Sequence, residues 1–158
     1  MPDRIKFENV FNYIICSCTN KNHIGLGIAT LHDGDKDSTL MGETMAYYKA
    51  KRNLIKKEIV DQKKKIKLLN NLLVYLFPQR LQGRQVEWIK DRLLRFIEDE
   101  NFILKDLQEE LKEWNEETID YLKRREESLK TIKDYKERKR KKENERLSEN
   151  ITEESKEL

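Results

Sequence analysis

A chain of 158 residues has room for one ordinary domain, and 40% charged against 37% hydrophobic residues describes long solvated helices rather than a thick globular core. The formal charge of +3 is too small to mark a nucleic-acid binder by itself, and no run of about 18 apolar residues offers a membrane span. The opening MPDRIKFEN lacks the apolar stretch of a secretion signal, so a soluble cytoplasmic protein with Cys16 and Cys18 reduced is expected.

In chain order, FNYIICSCT (11–19) is β-branched and aromatic, NKNH is turn chemistry, and GLGIATL (25–31) is a second apolar run. Together they predict a β-hairpin, in which Gly25 and Gly27 allow close approach or a bulge. Two strands are marginal in water, so one face needs the following helix as its cover. Residues 1–54 therefore form a first region, the hairpin plus the start of a helix.

The first long helix is expected over 39–77, with Asp37 or Ser38 as N-cap and Pro78 ending it. Met41, Met45, Tyr48, Arg52, Ile55, Ile59, Gln62, Ile66, Leu69, Leu73 and Leu76 alternate steps of four and three. This is a heptad seam with only Arg52 and Gln62 polar, widened by Leu54, Leu68 and Leu72. PQRLQGR (78–84) has the length of a turn between antiparallel helices.

A second long helix is expected over 84–147. One seam runs through Val86, Ile89, Leu93 and Phe96, and another resumes at Leu104, Leu107, Leu111, Trp114 and Thr118. The phase slips between them, so a coiled-coil stutter and a small break near 98–101 are both open. Residues 148–158 read as a frayed polar tail.

Charge supports folding back at the turn. Residues 49–67 carry nine bases against two acids, and residues 98–120 carry ten acids against two bases. In a hairpin centred near residue 80 these stretches lie largely opposite each other, which makes the basic run an internally compensated face. Residues past about 121 overshoot the first helix and still carry Leu122, Leu129, Ile132 and Tyr135. Apolar residues on an unsupported helix call for cover, and a homo-oligomer is the simplest source.

Each candidate site has a plainer reading beside it. Asp33, Asp35 and Asp37 alternate like calcium ligands, yet Ser38 stands where a Gly is wanted and Thr44 where a bidentate Glu is wanted. They read as an acidic helix N-terminus. Cys16, Cys18, His23 and His32 are zinc-competent, but their spacing matches no known finger and a Cys-x-Cys strand more often packs as small buried residues. No cofactor is expected.

Arg80, Arg84, Arg92 and Arg95 surround the turn and could hold a small anionic ligand, the plainer reading being surface arginines. Arg138, Lys139, Arg140, Lys141 and Lys142 could hold nucleic-acid phosphates or an acidic partner, the plainer reading being a solubilising helix end. No nucleophile elbow, phosphate loop or His-Glu-x-x-His pattern occurs, so no enzyme is expected.

Gly27 and Ala29 on a strand, Asp33, Gly34 and Asp35 in a loop, then Gly42, Ala46 and Lys49-Ala50 on a helix form a pattern. It resembles a module of small phage and prophage proteins, and of bacterial proteins described as similar to double-stranded RNA-binding domains. The resemblance spans roughly residues 11–54. It implies a phage-type accessory protein, a class that includes inhibitors of host defence, partner-binding adaptors and nucleotide or nucleic-acid binders. If phage-encoded, such a protein works in the host cell cytoplasm.

The expected fold is mainly α with a small N-terminal β-hairpin and a long antiparallel helical hairpin or coiled coil. The expected function is non-catalytic binding of a host protein or small ligand, regulatory or counter-defence. The alternative is nucleic-acid binding through the basic C-terminal helix.

Overall fold

The computed structural model describes residues 4–30, 38–76 and 84–154. Three strands, β1 (Arg4–Val10), β2 (Tyr13–Thr19) and β3 (Ile24–Thr30), precede two helices, α1 (Ser38–Leu76) and α2 (Arg84–Glu154). The protein is mainly helical with a small N-terminal antiparallel sheet of order β1-β2-β3.

The sheet has one strand more than the expected hairpin. β1 lies in the charged opening segment, where Ile5 and Phe7 alternate with Arg4, Lys6 and Glu8. The run that reads as one strand from Phe11 instead bends at once. Val10 pairs with Tyr13, so Phe11 and Asn12 are a two-residue loop. Phe11 takes a left-handed φ of 53° there, with its ring 96% exposed. A bulky residue in that region is strained by roughly 1–3 kcal/mol, and with Phe rather than Gly or Asn at the left-handed position only Asn12 marks the corner as a turn.

The inner face of the sheet packs on α1 through small residues. Ile14, Cys16 and Cys18 of β2 are fully buried, and Ala46, Ala50 and Leu54 of α1 meet them at 0–1% exposure. Gly25 and Gly27 bring β3 against the helix backbone. A Cβ on Gly27 would stand 1.9 Å from the Ala46 carbonyl oxygen, and one on Gly25 2.1 Å from that of Ala50. Ala46 and Ala50, four residues apart, thus form the groove in which the strand lies. α1 covers β3 and β2, and the inner-face residues of β1, Ile5 and Phe7, stay 45% and 43% exposed.

The other side of α1 is the heptad seam. Ile55, Ile59 and Ile66 are buried and the other seam residues from Met41 to Leu76 are at least half-covered, whereas Leu68 and Leu72 are exposed at 69% and 49%. α2 runs antiparallel to it. Tyr47 and Tyr48 set their rings edge-on to Trp114, each 5.6 Å between centroids, and Lys65 reaches Glu100.

α2 is unbroken through 98–101 and continues to Glu154. The apparent slip disappears because its seam passes through Lys90, Ile97 and Glu100, keeping the four-three rhythm from Val86 to Thr118. Ile89 and Phe96 lie outside that seam and are 45% and 47% exposed.

The chain divides into two units, Met1–Thr118 and Ile119–Leu158. In the second, Ile119, Leu122, Leu129, Ile132 and Tyr135 are 42–69% exposed. Among the described residues no helix is long and apolar enough to cross a membrane.

Candidate functional site

The two edges of the sheet are treated differently by the sequence. In antiparallel pairing, residues alternate between pointing their N–H and C=O toward one neighbour and toward the other side. Val10 and Tyr13 close a two-residue loop, which sets the phase. Arg4, Lys6, Glu8 and Val10 bond to β2, while Ile5, Phe7 and Asn9 aim their backbone groups outward. The same alternation turns Ile24, Leu26 and Ile28 outward on β3.

Those β3 carbonyls are capped by α1. Lys57 Nζ donates to Ile24 O at 2.6 Å, Asn53 Nδ2 to Leu26 O at 2.7 Å and Lys49 Nζ to Ile28 O at 2.8 Å. The match is geometric. Four helical residues advance about 6 Å and two strand residues about 6.8 Å, so donors every four positions meet carbonyls every two. Sequence reasoning counted Lys49 and Lys57 as part of a solvated basic face; the four-residue spacing beside a strand was the signal that could have identified the caps.

Two polar groups tie the helices and the sheet together. At the β2–β3 turn the Asn20 side-chain oxygen accepts from the N–H groups of Asn22 (3.0 Å) and His23 (2.8 Å), while its amide donates to Glu58 of α1. His23 Nε2 lies 3.5 Å from Asp61 Oδ2. Burial and the nearby charge of Glu110 push the Glu58 carboxyl above its ordinary range, against the pull of His23, Asn20 and Lys51.

Across the helical seam Glu100 is buried. It accepts from Lys65 Nζ at 2.6 Å and from Gln62 Nε2 at 2.6 Å on its carboxylate, and from the same amide at 2.8 Å on its backbone oxygen. The bond from Lys65 holds its carboxyl below the ordinary range, helped by Gln62 and opposed by burial. Lys51 also faces Glu110 at 3.8 Å. The basic stretch of α1 thus spends several charges on partners within the fold.

Among the described residues, Cys16, Cys18 and His23 do not form a group that could hold a metal ion. Cys16 and Cys18 face α1, and burial above all, with the neighbouring Cys18, pushes the Cys16 thiol up to about 12. His23 engages Asp61, and His32 with Asp33, Asp35 and Asp37 lies outside the described residues. Among the described residues no three His, Cys, Asp or Glu side chains form a metal-ligand group.

Of the four arginines at the turn, Arg80 lies outside the described residues and Arg84 opens α2. Arg92 sits 4.9 Å above the Trp88 ring and lines an apolar cleft of about 340 Å³ with Leu72, Leu76, Ile89 and Phe96. Arg95 is exposed and does not line that cleft. Arg138 to Lys142 are all exposed on the Ile119–Leu158 unit.

The outer face of the sheet, which carries no motif in the sequence, mixes apolar and charged side chains. Tyr13, Ile24, Leu26 and Ile28 are each about half exposed, and Arg4, Lys6 and Glu8 share the face. Compared with known proteins, the chain matches no family model, no curated protein and no solved structure.

Proposed function

We propose that this chain is a non-catalytic binding protein that works as a homo-oligomer in the cytoplasm. Its role is that of a phage-type accessory protein, regulatory or counter-defence, exercised by holding a host protein or a small ligand. One observation carries this reading. The apolar seam of the helical hairpin is filled by the chain itself, yet Leu122, Leu129 and Ile132 of the Ile119–Leu158 unit remain 42–51% exposed at helical spacing. Contiguous open apolar surface of this kind marks interaction sites. The close packing of β3 on Ala46 and Ala50, two residues of the phage-module pattern, supports that likeness.

Native mass spectrometry of the protein expressed in a bacterial host, sprayed from a moderate-salt volatile buffer, tests the proposal. An oligomer carrying a stoichiometric extra mass is the expected result. A bare monomer that turns over a substrate overturns it.

A second reading rests on the exposure of Arg138, Lys139, Arg140, Lys141 and Lys142. Five adjacent cations on one helix segment suit phosphate neutralisation, with affinity that falls steeply as salt rises. Removing residues 136–158 abolishes salt-sensitive retention on DNA or RNA if this reading is right; unchanged retention ends it.

A further inference from the structure

Among the described residues β1 is the open edge of the sheet, whereas the outward carbonyls of the other edge are capped. Its outward-facing backbone belongs to Ile5, Phe7 and Asn9, and its side chains divide cleanly between faces. Ile5, Phe7 and Asn9 lie on the helix side beyond the cover of α1, and Arg4, Lys6, Glu8 and Val10 lie on the outer side. All seven are exposed.

The order of charges along β1 is self-complementary. Laid antiparallel against a second copy about Phe7, the strand sets Lys6 opposite Glu8, Glu8 opposite Lys6, Ile5 opposite Asn9 and Phe7 opposite itself. The hydrogen-bond phase agrees. A two-fold axis between antiparallel strands passes either through a residue pair that exchanges both backbone bonds or through one that exchanges none, and Phe7, whose N–H and C=O point outward, suits the first. Lys6 and Glu8 then fall in the non-hydrogen-bonded positions, where opposed side chains come closest.

Neighbouring registers lack this match. Centring on Lys6 or on Glu8 sets that residue against its own charge, centring on Ile5 sets Arg4 against Lys6, two like charges, and centring on Asn9 sets Glu8 against Val10 while Lys6 runs off the strand. The Phe7 register also brings the two half-exposed phenylalanine rings together, an aromatic pair of the kind that stabilises adjacent strands.

We infer that β1 is a homodimer interface, pairing antiparallel with β1 of a second copy about Phe7 to give a six-stranded sheet held in register by two Lys6–Glu8 pairs. This rests on the homo-oligomer part of the proposed function and adds a contact in the sheet to the exposed stripe of α2 that carries that reading.

Sedimentation equilibrium of the full chain at low and moderate salt, with K6E, E8K and the K6E/E8K double variant, tests it. Lys6 and Glu8 are exposed, so matching circular dichroism melts should confirm that each variant folds. Each single reversal creates two like-charge pairs and is expected to weaken dimerisation on the order of tenfold or more, whereas the double variant restores it. A one-to-one mixture of K6E and E8K also regains the dimer mass, because one variant presents two acids and the other two bases.

An oligomer indifferent to all these changes overturns the β1 interface and leaves the homo-oligomer reading standing. A wild-type chain that is monomeric at every concentration overturns both, and leaves the edge to a strand from another protein.

Discussion

Two stretches of α2 carry apolar residues at helical spacing and differ in what covers them. Within Met1–Thr118, Ile97, Glu100 and Thr118 are 5–8% exposed; within Ile119–Leu158, Leu122, Leu129 and Ile132 are 42–51% exposed. In one stretch a glutamate is core, and in the other leucines are surface. Spacing makes a stripe, but only an opposing surface with the right donors makes it an interior.

The largest effect that separates the two is expected from Ile55→Ala, at a side chain 1% exposed. It should cost about 2–5 kcal/mol in urea unfolding. Gly27→Ala comes next. Its Cβ meets the Ala46 carbonyl oxygen and the Ala50 nitrogen, backbone atoms that yield only if α1 lifts from β3, and a loss of about 1–3 kcal/mol is expected in the same assay.

Glu100→Ala removes the acceptor of Lys65 and Gln62 from a buried site and should cost about 1–3 kcal/mol. Its pH dependence has a definite sign. The folded carboxyl titrates below the unfolded one, so its contribution is full above the ordinary carboxyl range and is lost as pH falls through the folded value. Glu58 has the opposite sign. Raised in the fold, it opposes folding when ionised, and that opposition fades as pH falls from its folded value toward the ordinary one. Acid titration of stability should therefore lose part of its fall in Glu100→Gln, while Glu58→Gln is more stable than the parent at neutral pH.

The smallest effect belongs to Leu129→Ala, within about 0.5 kcal/mol for a residue left at the surface. If it costs as much in dilute solution as Ile55→Ala, a partner already covers the second stretch, and the comparison becomes one between two interfaces. A chemical contrast needs no stability measurement. With its thiol pushed up to about 12, Cys16 should resist alkylation at neutral pH until urea opens the sheet from α1.

The sequence made α1 legible because its seam is strict from Met41 to Leu76, and made the antiparallel return legible because bases and acids are segregated on either side of the turn. It misphased α2 where hydrophobicity and position part company. Phe96 is apolar and outward, Glu100 charged and inward, and the distinction lies in Gln62 and Lys65 on the other helix. β1 was missed because Phe11 occupies a corner that Gly or Asn normally takes, so the run reads straight through it. Of the candidate site, the basic residues of α1 were visible but their use was not. Lys49 and Lys57 serve as caps only once β3 lies alongside.

Those caps have a consequence for growth. Adding strands to a sheet without end requires two receptive edges per molecule, one to accept and one to offer. With the outward β3 carbonyls taken by Lys49, Asn53 and Lys57, a strand that joins at β1 meets a far edge whose acceptors are already occupied. If β1 pairs as inferred, the sheet acts as monovalent, and assembly through strands should terminate instead of polymerising.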